Sequence, residues 1–498
     1  MKQFRGIEIV GVVKKAMPQN QFIKNEAVAA AELGTRRIEM RRTRVPKPVA
    51  QHNHTPQERS ACEICNNNRA FELPESLFAA LLAGKVVLFA GAGVSTESST
   101  LFPSSFYETI GEELSIQSSE TLAFPDLMTR FCRERDGRGD LLRLIKDRFD
   151  YVRSFPELYR RATAFHRELS TIFHLREIIT TNWDEYFERE CDAIPFVTAQ
   201  DFAFWSLPGR KVLKIHGSIS SLGSLVATRQ DYDRCYARLS SGLLGSSLKL
   251  LLATKTIVFL GFSFRDDDFL RIQKLLLRET AGIQPRAYIV TLDQDSDSRF
   301  QELGVNPIYT DATFFLSTLK QRLSTEGQLV PEENFAKVYD FLDRVTEAHT
   351  KTLGIDATRH PDVIYCWAYQ DGLIHALERI WALRRSGYYS HRCNSVNAAR
   401  TYEFQLRKER LLKREYPEVA YIDGYVAGLL YFVGSNEIRR LTPYYYLYGS
   451  GRAFQSERAF LTALRGGVAG NKAAHKLACN ILKKYGGERI TLHHPPFL

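Results

Sequence analysis

The stretch VVLFAGAGVSTESS, Val86 to Ser99, decides the fold. Five apolar residues, Val86 to Ala90, run into Gly91-Ala92-Gly93, and small hydroxylated residues follow. A short continuous apolar run of this kind reads as a strand buried on both faces. Glycines at its carboxyl end let the backbone turn tightly, and the N–H groups at a following helix start can bind an anion such as a pyrophosphate. Any tight strand–helix turn uses glycine in the same way, and the third glycine of the dinucleotide fingerprint is absent here.

Downstream, similar runs recur at the spacing of an α/β sheet. They are REIITT (Arg176–Thr181), KVLKIH (Lys211–His216), TIVFLG (Thr256–Gly261) and RAYIVTL (Arg286–Leu292). Helical patterns lie around them: Glu72–Gly84, Asp140–Val152 and Ser246–Thr254. Apolar runs alternating with helices predict a Rossmann-like, mostly parallel sheet covered on both faces. After residue 325 the strand signals stop. Pro361–Arg385 carries Leu373, Leu377, Ile380 and Trp381 at helical spacing, and Asn471–Gly487 has an Asn start and a Gly stop. The predicted organisation is a basic, flexible N-terminal extension (1–70), an α/β domain (71–325) and a mainly α-helical C-terminal domain (326–498). A translation start placed too early would leave the same pattern in residues 1–70.

The 498 residues are 44% hydrophobic and 25% charged, the balance of a globular chain with a full core. The net charge of +10 suits an acidic partner, a nucleic acid or a dinucleotide, and equally a plain surface rich in lysine and arginine. No signal peptide is evident at the N-terminus. The longest apolar run, Tyr425–Gly434, is too short to span a bilayer. The 8 cysteines are mostly scattered, which fits free thiols in a reducing cytoplasm.

In an open parallel sheet, ligands bind beyond the carboxyl ends of the strands. Four such junctions stand out. The first is Gly91 to Ser95. The second is TTNWDEYFE (Thr180–Glu188), where Asn182 and Asp184 have a plain reading as helix caps. The third is KIHGS (Lys214–Ser218), where His216 has a plain reading as a hydrogen-bonded structural residue. The fourth is Gly261-Phe262-Ser263, a turn that could hold ribose or phosphate or cap a helix.

Together and in this order the four resemble the sirtuin family (silent information regulator 2). That family shows a Gly-Ala-Gly-x-Ser loop, a Thr-x-Asn-x-Asp segment, His-Gly and a Gly-x-Ser turn. The resemblance covers about Phe71 to Thr325. VATRQDY (Val226–Tyr232) and GFSFRDDDF (Gly261–Phe269) look like the bacterial, defence-associated, NAD-consuming branch. It implies that NAD is the substrate. Ala90, Gly91, Ala92, Gly93 and Ser95 would hold its phosphates, and Gly261, Phe262 and Ser263 its adenosine side. Pro103, Thr181, Asn182, Asp184 and His216 would line the remainder of the site.

The resemblance also implies roles. Asn182 would hold a ribose hydroxyl or the attacking water, since its amide both donates and accepts. His216 would take up a proton, its ordinary pKa lying near working pH. Asp184 would orient Asn182 or the nicotinamide amide. Deacylases of the family carry a zinc ribbon of two Cys-x-x-Cys pairs after His-Gly, whereas Gly217 to Gly261 holds one cysteine, Cys235. Only Pro103 aligns in the loop after the glycines. The expected activity is therefore hydrolysis of NAD to nicotinamide and ADP-ribose in antiphage defence. The alternatives are an NAD-dependent protein deacylase and a non-catalytic NAD or ADP-ribose sensor. The expected partners are NAD, a phage-derived or defence-system protein trigger, and further copies of the chain. No membrane or metal is expected, and nucleic acid ranks low.

Other features have simpler readings. His52, His54, Cys62 and Cys65 have the right types for zinc, in an unusual order within a loose tail. Thr401–Tyr416 reads as a solvated basic helix before a nucleic-acid surface. Pro443–Gly449 (PYYYLYG) reads as tyrosines packed on helices, and Asp266, Asp267 and Asp268 as helix-start residues.

Overall fold

Strand β1 (Val86–Ala90) is buried along its whole length. The computed structural model describes residues 67–95, 101–116, 122–262, 286–294, 300, 304–412, 416–452, 454–466 and 471–485. The expectations placed on residues 1–66, including His52, His54, Cys62 and Cys65, and on Ser263 and Asp266–Asp268 lie outside the described residues.

Beside β1 stand β2 (Glu177–Thr180), β3 (Ala193–Phe196), β4 (Arg210–Lys214), β5 (Thr256–Leu260), β6 (Ala287–Thr291) and β7 (Val305–Tyr309). They form one sheet in the order β3-β4-β2-β1-β5-β6-β7. Every pairing is parallel, so the sheet is wholly rather than mostly parallel. Five of the seven strands follow from the sequence pattern. β3 and β7 escape it because each is interrupted by a proline, Pro195 and Pro307. Proline cannot donate to a ladder and is confined to sheet edges, and β3 and β7 are the two edges.

Side chains alternate between the faces, as a pleated strand requires. Leu88, Ile178, Val212 and Val258 point to one face, and Phe89, Ile179, Leu213 and Phe259 to the other. Helix α1 (Glu75–Leu82) precedes β1. Between β1 and β2 run α2 (Phe106–Glu113), α3 (Phe124–Glu134), α4 (Arg138–Ser154), α5 (Pro156–Ala162) and α6 (Ala164–Ser170). Helix α7 (Tyr186–Cys191) joins β2 to β3, and α8 (Arg229–Ser241) and α9 (Leu243–Thr254) join β4 to β5. Helix α10 (Ala312–Thr325) follows β7. Helices α1, α6, α7 and α10 cover the first face, and α8 and α9 the second.

Beyond residue 325 the described residues form helices: α11 (Glu333–Leu353), α12 (Val363–Ala382), α13 (Arg392–Leu412), α14 (Tyr416–Val433), α15 (Asn436–Leu441), α16 (Glu457–Arg465) and α17 (Lys472–Tyr485). Helices α12 and α14 are apolar on nearly every side, because both run through the middle of this region's core. They approach closely at glycines. A Cβ on Gly372 would lie 1.9 Å from the Tyr421 carbonyl, and one on Gly424 1.9 Å from the Tyr369 carbonyl. The tyrosines of residues 443–449 pack against this core: Tyr446 stacks on Tyr369 at 4.9 Å and Tyr445 on Phe460 at 5.3 Å. Among the described residues no helix is long and apolar enough to cross a membrane.

Candidate functional site

The chain leaves β1 toward β2 on one side and leaves β5 toward β6 on the other. Their carboxyl ends therefore form the topological switch point, where open α/β sheets bind ligands. Register makes the site continuous. Ala90 pairs with Thr180 and Leu260, and Thr180 pairs with Lys214. The four junctions singled out in the sequence thus leave four neighbouring strands at one level. Asn182 and His216 each lie two residues beyond a register pair.

The glycine loop begins with Gly91 and makes a short 3-10 turn, Ala92–Val94. Gly91 N donates to Leu260 O (2.8 Å) and Gly93 N to Gly261 O (3.1 Å). A Cβ on Gly91 would stand 2.6 Å from Gly261 O, and one on Gly261, at φ +69°, would stand 2.7 Å from Val94 N. So the glycines have a packing reason here: they let the two loops of the switch point touch. The Phe262 ring is buried against Phe89 at 5.3 Å, so its side chain belongs to the core. Ala90 is fully buried, and its carbonyl accepts from Thr180 Oγ1 (2.9 Å) and from the N–H of half-buried Thr181 (3.3 Å).

Asn182 is only 6% exposed. Its N–H donates to Thr180 Oγ1 (3.0 Å), and its Nδ2 donates to Ser95 Oγ (3.1 Å). Its Oδ1 has no hydrogen-bond partner among the described residues. A buried amide oxygen without a donor is costly in a folded protein, and such an acceptor suits a hydroxyl or a water. His216, 3% exposed, packs edge-on against Tyr232 at 5.0 Å, and its carbonyl accepts from Val226 N (3.0 Å). Gly217 turns the chain at φ +84°, where a Cβ would meet Ser224 O at 2.2 Å. Ile219 N then donates to Trp183 O (2.8 Å), which ties the His216 loop to the Asn182 turn.

Of the readings given to Asp184, the helix cap is seen and a bond to Asn182 is not. The Asp184 Oδ1 accepts from Tyr186 N (3.0 Å), an Asx-type turn that starts α7, and it makes no hydrogen bond to Asn182. Ser95 and Thr180 do the orienting. The Asp184 side chain lines a cavity of about 140 Å³ with Phe149, Arg153, Tyr186 and Ser220, which Asn182 and His216 do not line. Its Oδ2 has no hydrogen-bond partner among the described residues. Pro103 is exposed, in a loop held by Arg148, whose guanidinium covers the Phe102 ring at 3.8 Å and donates to Ser104 O (3.0 Å). Among the described residues no hydrogen bond joins that loop to Asn182.

Two residues of this neighbourhood escaped the sequence reading. Lys214 is fully buried, and its Nζ bonds the Asp184 carbonyl and Glu188 Oε1 (2.9 Å). Burial raises the Glu188 carboxyl above its ordinary pKa, and the Lys214 ammonium opposes that rise. The signal available was a lysine inside the otherwise apolar run VLKIH. A larger cavity, about 610 Å³, lies in the helical region, lined by Tyr369, Tyr446, Tyr448, Arg410, Asp423 and Arg452. Among the described residues no group of three His, Cys, Asp or Glu is placed to hold a metal ion.

A parallel sheet with a glycine loop at its switch point, and with Asn and His beyond adjacent strands, agrees with a Rossmann-like, sirtuin-like fold. The chain carries a SIR2-like domain: residues 176–308 match that family's model, a span that includes Asn182, Asp184, His216 and Gly261 and begins after the glycine loop. The chain is 30% identical over 201 residues to a protein of Enterococcus faecium named NAD(+) hydrolase ThsA, covering 39% of this chain and 40% of that one. It is 26% identical over 306 residues to the NAD(+) hydrolase ThsA of Cytobacillus dafuensis, 52% of this chain and 60% of the relative. It is 24% identical over 280 residues to Defense-associated sirtuin 2 of Bacillus subtilis, 52% of this chain and 24% of the relative. These matches thus span less than two thirds of each relative's own length.

Proposed function

We propose that this chain hydrolyses NAD, releasing nicotinamide and ADP-ribose, as an effector of antiphage defence. The observation that carries the reading is the buried, unpartnered Oδ1 of Asn182, beside the strand that delivers His216 and at the glycine-lined switch point. The names of the relatives support the same reaction. Water replaces nicotinamide on the ribose carbon: the N-glycosidic bond breaks, a C–O bond forms, and one proton is released. Asn182 holds a ribose hydroxyl or the incoming water through its free acceptor, with Ser95 fixing the amide. His216 takes the proton. Gly91, Gly93 and Gly261 keep the two loops close at the phosphate side of the site, and Ser263 is assigned to the adenosine side. The dry, preset geometry supplies most of the catalysis.

The segment after Gly217 supports hydrolysis over deacylation. It builds α8 and α9 on the sheet, and its cysteine, Cys235, is buried with Sγ against Ile215 O (3.3 Å). We assign residues 71–325 to the catalytic domain and 326–498 to a domain for sensing or assembly, acting in the cytoplasm, where NAD is found. A defence-system or phage protein is the proposed trigger, and self-assembly the proposed active form. The direct test is nicotinamide release by the purified chain. Release that disappears in Asn182→Ala supports the reading. Binding of NAD or ADP-ribose without turnover, with and without phage lysate, would favour the sensor alternative.

A further inference from the structure

We propose that Lys214 is a positioning residue that clamps the Asn182–Asp184 turn to the strand carrying His216. The proposal rests on the NAD-cleaving reading above. Lys214 ends β4 and pairs with Thr180, the last residue of β2. Its ammonium reaches across to the segment after β2 and donates to the Asp184 carbonyl and to Glu188 Oε1, in the first turn of α7. One side chain therefore joins the two strand ends that supply Asn182 and His216.

Its position argues for a purpose beyond stability. Burying an ammonium costs several kcal/mol even when it is paired, and a well-packed apolar pair of similar volume is often as stable or more so. Val212 and Leu213 are the apolar residues beside it at this depth, and the other buried cation of β4, Arg210, lies at the opposite end of the strand, away from Asn182 and His216. A break of local rules of this kind is expected at functional sites. What the ammonium gives, and an apolar chain cannot, is a directed donor to the Asp184 carbonyl. Asn182 lies two residues upstream of that carbonyl. Losing the donor frees the turn to slide, and Asn182 Nδ2 with it, away from Ser95 Oγ. A shift of about 1 Å in such a group costs about 100-fold in rate.

Glu188 is the counter-ion. Its Oε2 has no hydrogen-bond partner among the described residues, and burial raises its carboxyl above the ordinary pKa while Lys214 opposes that rise. This gives the test a control that keeps the clamp while weakening the charge pair: Glu188→Gln retains a carbonyl oxygen for Lys214 and leaves the Asp184 bond intact.

The experiment compares the full-length wild type, Lys214→Met, Lys214→Met with Glu188→Leu, and Glu188→Gln, by thermal unfolding and by the kcat and KM of nicotinamide release. Lys214→Met is expected to lower the melting temperature and to lower kcat about 30-fold or more, with KM changed less than about threefold. The double variant is expected to recover the melting temperature but not kcat, and Glu188→Gln to keep kcat within about threefold of wild type. Recovery of kcat together with stability in the double variant would reduce Lys214 to a structural ion pair and overturn the proposal. So would a kcat loss in Glu188→Gln as deep as that in Lys214→Met. If the wild type releases no nicotinamide, the hydrolase reading fails separately. ADP-ribose affinity, measured by calorimetry on the same proteins, then decides the clamp: a tenfold or greater loss in the stable double variant supports it, and unchanged affinity refutes it.

Discussion

The sheet region and the helical region differ in how they treat buried polar groups. In the helical region most of those described are paired, with Ser390 Oγ, His391 Nδ1 and Tyr425 OH as exceptions. Gln370 Oε1 accepts from Thr352 Oγ1 (2.7 Å) and lies 3.1 Å from His349 Nδ1, while its Nε2 donates to Tyr444 O (2.9 Å). Trp367 Nε1 donates to Thr352 O (3.0 Å), and Asn334 Nδ2 to Phe432 O (2.9 Å). In the sheet region, Asn182 Oδ1, Asp184 Oδ2, Tyr186 OH and Glu188 Oε2 are buried without hydrogen-bond partners among the described residues. They fall within seven consecutive positions just past one strand. A fold that needed only stability would pair them or replace them. The contrast sets a helical core built for packing against a strand end that leaves hydrogen-bonding capacity unused.

Four changes would break or sharpen that contrast. The largest effect is expected at the α12–α14 contact. Gly424→Val forces a side chain into the Tyr369 carbonyl and costs more than about 3 kcal/mol, read as a collapse of the thermal midpoint or loss of soluble protein. A midpoint within a few degrees of wild type would show that the two helices are not locked at that crossing.

Next comes pH, to which the two regions respond with opposite sign. Burial holds the His166 imidazole of the sheet region down at about 4, helped by the Lys214 ammonium and opposed by the Asp184 carboxylate. The unfolded chain therefore binds a proton that the folded one refuses between pH 6.5 and 4, and stability falls on acidification through that window by about 3 kcal/mol. Burial pushes Asp371 of α12 up to about 7. There the folded state holds the proton, so stability falls as pH rises from 4 to 7. Melting curves at pH 5 and pH 8 for His166→Phe and Asp371→Asn check both signs. His166→Phe should flatten the acid side and Asp371→Asn the neutral side.

The third effect is smaller. Gln370→Leu strands Thr352 and the Tyr444 carbonyl and is expected to cost about 2 kcal/mol in urea unfolding. The smallest is at the site itself. Asn182→Ala gives up one side-chain hydrogen bond, to Ser95, and relieves an unpaired oxygen, so stability should change by less than about 1 kcal/mol. A loss at Asn182 as large as that at Gln370 would erase the distinction between the regions.

The sequence made the centre of the sheet legible because uninterrupted apolar runs ending in glycine, Asn or His leave little choice of structure. The edges were not legible: Pro195 and Pro307 disguise strands that tolerate proline only because they pair on one side. At the site, residue types were legible and partners were not. The bond between Ser95 and Asn182 joins residues 87 apart, and no local pattern encodes it. Asp184 had two readings, as a helix cap and as orienting Asn182 or the nicotinamide amide, because a carboxylate that starts a helix looks the same in sequence as one that serves a site. Lys214 was passed over because a lysine in a strand reads as solvent-facing, and only the fold shows it fully buried.

The measurement that tests the central claim most directly is nicotinamide release from NAD by purified wild type, Asn182→Ala and His216→Ala, with melting temperatures taken on the same samples. Turnover by the wild type, and a fall of at least about 100-fold in each variant at unchanged melting temperature, is the predicted result. Turnover that survives both substitutions in folded protein would contradict it, and would remove the site from the carboxyl ends of β2 and β4.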